Sequence, residues 1–181
     1  MGQFTLSRRG MWAGLVGLAA AASLRQAVAE TAAVGGSWLD MVKQHHALIG
    51  GVLDRIVATH NDQAAERGQL HARLAYLLTA HSVAEENVLY PALARYGMTP
   101  ASDQLYIEQA HAKVINADLG LAPKGTDDWL QKVQALRTAV LHHAKDEEEG
   151  DLFPKLQAAA GDANAELTTA YAREFGLVRR A

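Results

Sequence analysis

Residues His142 to Pro154 read HHAKDEEEGDLFP. Two histidines, a run of acids, an apolar–aromatic pair and a proline stand in an order that a solvated helix face does not need. An earlier stretch, His81 to Pro91, reads HSVAEENVLYP and keeps the same order. His81 and Glu85 are four residues apart, and so are His143 and Glu147. Four residues turn an α-helix by about 400°, so each pair shares one face, one turn apart.

His142 and Asp146 have the same spacing. Pairing His143 with Glu147 repeats the His-to-Glu chemistry of the first copy and leaves His142 about 100° away, at the edge of its helix face. Measured from the proline, the copies are out of step. His81 precedes Pro91 by ten residues and His143 precedes Pro154 by eleven. The extra residue, near Gly150, is expected to be absorbed as a bulge in the helix. Glu86, Glu148 and Glu149 read as solvated groups, or as groups that support a site from outside. Tyr90 and Phe153 read as core, and Pro91 and Pro154 as residues that kink or end a helix.

The repetition extends upstream of both copies. QHHA (Gln44 to Ala47) recurs as QAHA (Gln109 to Ala112), which pairs His46 with His111 and leaves His45 as the flanking residue. Trp38, Val42, His46, Ile49, Leu53 and Ile56 recur at three- and four-residue steps and predict a first helix over about 37–60. A second helix is expected over about 63–96, stopped by Gly97, and a third after Pro100, with Ser102 as its cap. GLAPKGTDD is a Gly/Pro loop, and a fourth helix follows a cap at Thr126 or Asp127 and runs past Pro154. A break at Gly161 precedes a short terminal helix. No strand-like alternation is present. Long helices with short connections predict an all-α, up-down-up-down four-helix bundle with a short C-terminal helix.

Four inward-facing helices of this kind bring histidine nitrogens and two carboxylates to one buried region. Two carboxylates partly offset two divalent cations and can bridge them, whereas a single zinc ion takes only about four ligands. The chain contains no cysteine, which excludes disulfides, thiolate zinc sites and iron–sulfur clusters. Histidine and carboxylate donors suit iron, and also zinc or manganese.

In these motifs the sequence resembles the hemerythrin-like family, the HHE cation-binding domain, over about Trp38 to Leu156. The resemblance implies a metal set of His46, His81, Glu85, His111, His143 and Glu147, holding two non-haem iron ions bridged by carboxylate or oxide. It also implies a small partner such as dioxygen, nitric oxide or peroxide, which the protein binds, senses or reacts with. The alternative is an exported module that buffers iron or zinc without turnover. One feature departs from the oxygen carriers of the family, which have His-x-x-x-His in the third helix. Here Ile115 stands four residues after His111.

The first residues belong to a different pattern. Ser7-Arg8-Arg9 is followed by an apolar run from Met11 to Ala22 and by Ala27-Val28-Ala29, a small-x-small cleavage pattern. The run is too short for a membrane span, which needs roughly 20 residues. The segment resembles a twin-arginine export signal. Residues 1–29 are therefore expected to be a signal peptide and residues 30–181 the domain, exported and periplasmic, with no stable membrane span after cleavage. Without the three arginines of the signal the formal charge falls from −3 to −6, an acidic balance that argues against a nucleic-acid partner. The mature chain should begin at Glu30, as N-terminal sequencing would show. Replacing Arg8 and Arg9 together by lysine should trap the precursor inside the cell; unchanged export would refute the twin-arginine assignment.

Overall fold

The computed structural model describes residues 35–178, and the expected signal segment lies outside them. The described residues are helices joined by short turns, with no strand. Helix α1 spans Trp38–Val57 and α2 spans Ala64–Ala84. The second rod continues through a π-helical segment, Glu85–Leu89, into α3, Tyr90–Arg95. The third rod is α4, Thr99–Leu121. The fourth is α5, Asp127–His142, then a π-helical segment His143–Leu152, then α6, Phe153–Ala160. A terminal helix, α7, covers Asn164–Val178. Around the bundle α1 packs on α2 and α5, while α4 packs on the same two from the other side, and α7 lies against α1 and α2.

Local chemistry sets the helix ends. Ser37 and Asp40 form a capping box: the Asp40 amide donates to the Ser37 hydroxyl at 3.2 Å and the Ser37 amide to the Asp40 carboxylate at 3.0 Å. The Trp129 amide donates to the Thr126 hydroxyl at 3.2 Å and starts α5. Gly97, at φ 87°, ends the second rod in a conformation that side-chain-bearing residues rarely adopt. The third rod starts at Thr99, earlier than expected, because Pro100 fits a first helical turn. Ser102 is no cap; its hydroxyl donates to the Tyr90 carbonyl at 2.8 Å and ties the second rod to the third.

Two apolar clusters fill the bundle. One gathers Trp38, Val42, Leu89, Phe153, Tyr171 and their neighbours; the other gathers Ile49, Leu53, Leu74, Leu119 and Trp129. Below the second cluster the fully buried Arg67 bonds Thr59, Asn61 and the Lys124 carbonyl and stacks over Trp129. Buried in this way, the guanidinium has its donors satisfied. Val42 and Ile49 belong to different clusters, and His46 lies between them on α1. Leu78 and Ala84 likewise flank His81. The polar residues therefore form a layer between two apolar regions.

Neither Pro91 nor Pro154 ends its helix. A proline inside an α-helix clashes with the carbonyl four residues back. Both prolines instead follow a π-helical segment, where the Tyr90 amide bonds the Glu85 carbonyl and the Phe153 amide bonds the Glu148 carbonyl, five residues back. The expected bulge is real, and the one in the fourth rod covers ten residues. Gly150 permits it: a Cβ there would stand 2.9 Å from the Lys145 carbonyl oxygen. Gly150→Ala should therefore cost about 1–3 kcal/mol through overpacking and lower the bound metal as well as the melting temperature. A variant with wild-type melting and wild-type metal content would show that the wide turn is not constrained at this residue.

Candidate metal centre

Three rods send side chains into the layer between the apolar clusters. His46 comes from α1, His81 and Glu85 from the second rod, and His143 and Glu148 from the fourth. The Nε2 atoms of His46 and His81 are 3.1 Å apart. His81 Nε2 lies 3.0 Å from Glu85 Oε2, and His46 Nε2 lies 3.1 Å from Glu148 Oε2 and 3.8 Å from Glu85 Oε1. One donor atom from each of these four residues falls within 4.8 Å of all the others. His143 Nε2 approaches the other oxygen of Glu148, at 3.2 Å from Oε1.

Each of the three rings points Nε2 inward and has Nδ1 held from outside. His46 Nδ1 meets Glu149 Oε1 at 2.7 Å, His143 Nδ1 meets Glu108 Oε2 at 2.8 Å, and His81 Nδ1 meets the Tyr171 hydroxyl at 3.3 Å. A partner on the far nitrogen fixes the orientation and tautomer of a metal-binding imidazole. Gln109 of α4 donates to Glu85 at 2.5 Å and to the Tyr90 oxygen at 2.6 Å.

The electrostatics are those of a cation site. Glu85 and Glu148 are both fully buried. Burial, then the neighbouring charge of Glu148, pushes the Glu85 carboxyl well above its usual range. Burial opposes ionisation of Glu148 too, but the charges and hydrogen bonds of His143 and His46 win and hold it low. Burial likewise works against a proton on His46 or His143. The adjoining Glu148 carboxylate and the hydrogen bond to Glu149 raise the first to about 9, and the Glu148 charge and hydrogen bonds to Glu148 and Glu108 raise the second to about 10. Burial and the His46 charge keep His81 well below its usual value. Protons on two rings thus offset carboxylate charge, and a metal ion would displace them.

The residues fit such an ion. Glu85 Oε1 and Glu148 Oε2 are buried with no aligned hydrogen-bond donor, despite the nearby His46 ring. The two Nε2 atoms of His46 and His81 face each other at 3.1 Å, the spacing of neighbouring donors around one ion. Metal–ligand bonds of about 2.1 Å place neighbouring donors about 3 Å apart, close to the separations observed. A cavity of about 160 Å³ adjoins the cluster. Its walls include Ile49, Leu78, Ala112 and Val140, and it reaches from His46, His81 and His143 to the exposed His111 and His142.

The structure brings together four of the six expected residues: His46, His81, Glu85 and His143. His111 is exposed at the cavity mouth, and α4 faces the cluster with Gln109. Glu147 is not in the buried cluster. Its side chain is 28 % exposed and lies 3.6 Å from the outer nitrogen of His143. There, hydrogen bonding to Glu108, with burial second, pushes it up to about 7. Glu108, His143 and Glu147 are close enough to form a second, half-exposed donor group. The inner carboxylate of the fourth rod is Glu148, because the π-helical segment brings the fifth residue after His143, not the fourth, onto its face. His45 points away, stacked on Phe175 at 3.8 Å and bonded to Tyr171 at 2.9 Å. His142 and Asp146 form an exposed pair at 2.7 Å. The signal for Glu148 was present in the sequence: Glu85 and Glu148 both stand six residues before a proline.

The hemerythrin HHE cation binding domain family model matches residues 38–171. A DNA nickase from Nostoc sp. is 25 % identical over 138 residues, covering 75 % of this chain. The chain spans 37 % of the length of that relative. No solved structure gives a significant match.

Glu148→Gln should abolish most metal binding and lower the melting temperature, since bound metal stabilises the fold by mass action. Glu147→Gln should leave both nearly unchanged. Metal per chain and thermal melting of the two variants decide the register; the reverse order of severity would place Glu147 at the ion.

Proposed function

Because the chain belongs to the hemerythrin HHE cation-binding family, we propose that it holds two non-haem iron ions and binds, senses or reacts with a small ligand such as dioxygen, nitric oxide or peroxide. The observation that carries the reading is the pair of buried carboxylates set between imidazoles, with His46 and His81 on one side and His143 on the other. Glu148 turns Oε2 to His46 and Oε1 to His143, and Glu85 Oε2 adjoins both His81 and the Tyr90 hydroxyl, so the pair could serve two cations. Iron bound there supplies a redox-active centre with room for an exogenous ligand.

The protein's own groups prepare that centre. Glu149, Glu108 and Tyr171 keep Nδ1 of the three rings engaged, so each Nε2 faces inward and would offer its lone pair to an ion that displaces its proton. The apolar cavity admits a small molecule between α4 and α5 while limiting bulk water. Ala112, one turn beyond Glu108, lines it, and no imidazole of α4 enters the cluster. This leaves the α4 side without an imidazole, next to the cavity, which suits ligand access. With residues 1–29 as an export signal, the protein acts outside the cytoplasm.

Nicking of DNA is named for a relative of which the matched part is a minority. The acidic balance of this chain supports no nucleic-acid partner, and the purified protein should neither shift duplex DNA nor relax supercoiled plasmid. Protein made under iron-replete conditions should carry two iron ions per chain and gain near-ultraviolet absorption on oxidation. Stoichiometric zinc without iron would overturn the redox reading in favour of metal buffering.

A further inference from the structure

Tyr90 is the first residue after the π-helical segment of the second rod, and its ring is fully buried. Its counterpart in the fourth rod, also five residues after the buried glutamate, is Phe153, which packs edge-on against Trp38 at 5.5 Å. Hydrophobic packing at this place therefore needs no hydroxyl. The Tyr90 hydroxyl nevertheless stands among the charged groups. It lies 2.8 Å from Glu148 Oε1, 3.1 Å from His143 Nε2 and 3.4 Å from Glu85 Oε2.

We infer that the phenolic oxygen of Tyr90 is a metal ligand, completing the cation position on the His143 side. The inference rests on the two-ion reading above. On the other side the donors are His46 Nε2, His81 Nε2 and one oxygen each from Glu85 and Glu148. On the His143 side Glu148 offers its second oxygen, and Glu85 Oε2 lies 3.4 Å from the Tyr90 hydroxyl, but only one imidazole arrives, because α4 contributes none. Tyr90 stands beside that imidazole, at the roughly 3 Å spacing expected of neighbouring donors around one ion. Gln109 Nε2 donates to the Tyr90 oxygen at 2.6 Å and would stabilise the phenolate. Coordination forms an oxygen–metal bond and releases the phenolic proton to solvent; no electron is transferred.

The competing reading is that Tyr90 only donates a hydrogen bond to Glu148. The two differ in spectrum. Iron-loaded, air-oxidised full-length protein should show a visible phenolate-to-iron charge-transfer band, with tyrosinate modes in resonance Raman excited within it. In Tyr90→Phe, with helicity checked by circular dichroism, the band should vanish and tightly held iron should halve. Tyr171→Phe should keep the band, because the Tyr171 hydroxyl meets the outer nitrogens of His81 and His45 and not the carboxylates. Two irons per wild-type chain without a tyrosinate signature would overturn the assignment of Tyr90 and leave the two-ion reading standing. One iron per wild-type chain would overturn the two-ion reading, and the second position proposed for Tyr90 with it. A band that survives Tyr90→Phe would move the ligand to another tyrosine.

Discussion

Two carboxylates buried side by side are the constraint on which the rest of this bundle depends. Glu85 and Glu148 are both fully enclosed. Taking one carboxylate out of water costs several kcal/mol even after relaxation. A hydrogen bond to a charged group returns only about 1.5–3 kcal/mol. Neutral hydrogen bonding alone therefore does not hold such a pair; positive charge must come to it from several directions. The fold meets that demand by bringing imidazoles from three rods to one level. The same demand explains why the core is two apolar clusters with a polar layer between them. A single continuous core would leave no level at which three rings and two carboxylates could meet.

The wide helical turns follow from the same constraint. An α-helix places residues three and four apart on one face, so it can stack His over Glu once. Carrying the glutamate face onward to an aromatic residue and then a proline requires a longer step. A π-helical segment supplies it, since its bonds reach five residues back. Both rods that carry a glutamate contain such a segment between the glutamate and the proline. In the fourth rod it begins earlier, at His143, so the step from histidine to glutamate also lengthens by one. Pro154 lacks an amide proton and Gly150 lacks a Cβ. Together they favour the wide turn in the sequence itself, before any tertiary contact is made.

The all-α bundle, its four rods and the terminal helix were legible because apolar periodicity and Gly and Pro punctuation act locally. His46, His81, Glu85 and His143 were legible because residue spacing within each repeat marked them. Glu148 was not, because the spacing was read on an α-helical wheel whose pitch does not hold there. Counting back from Pro154 would have found it. His111 matched the repeat in letters but faces solvent, since α4 is set by Leu105, Gln109 and Leu119 turning inward. Tyr90 was read as core and is buried, yet its hydroxyl faces charged groups, which periodicity does not report. Glu108 and Glu149 act across rods, and no pattern within one helix specifies a partner on another.

The terminal helix shows how far this network extends. The Tyr171 hydroxyl lies 2.9 Å from His45 Nδ1 and 3.3 Å from His81 Nδ1. Burial, then the charges of His81 and His46, depresses His45 to about 2, so it stays neutral. A neutral His45 can accept the Tyr171 proton, leaving the tyrosine oxygen to accept from His81. That direction would place the proton of His81 on Nδ1 and free Nε2 as a lone pair towards the cluster. The helix carrying Tyr171 is itself pinned to the start of α1 by Thr168 and Asn164, which bond the Trp38 amide at 3.0 Å and its indole at 2.7 Å. The beginning of the bundle, its final helix and one inward-facing imidazole are thus joined through a single hydroxyl. The outer nitrogen of His81 is therefore held by tertiary packing, and His45, the histidine that looks redundant beside His46, shares the same hydroxyl and belongs to the support of the centre.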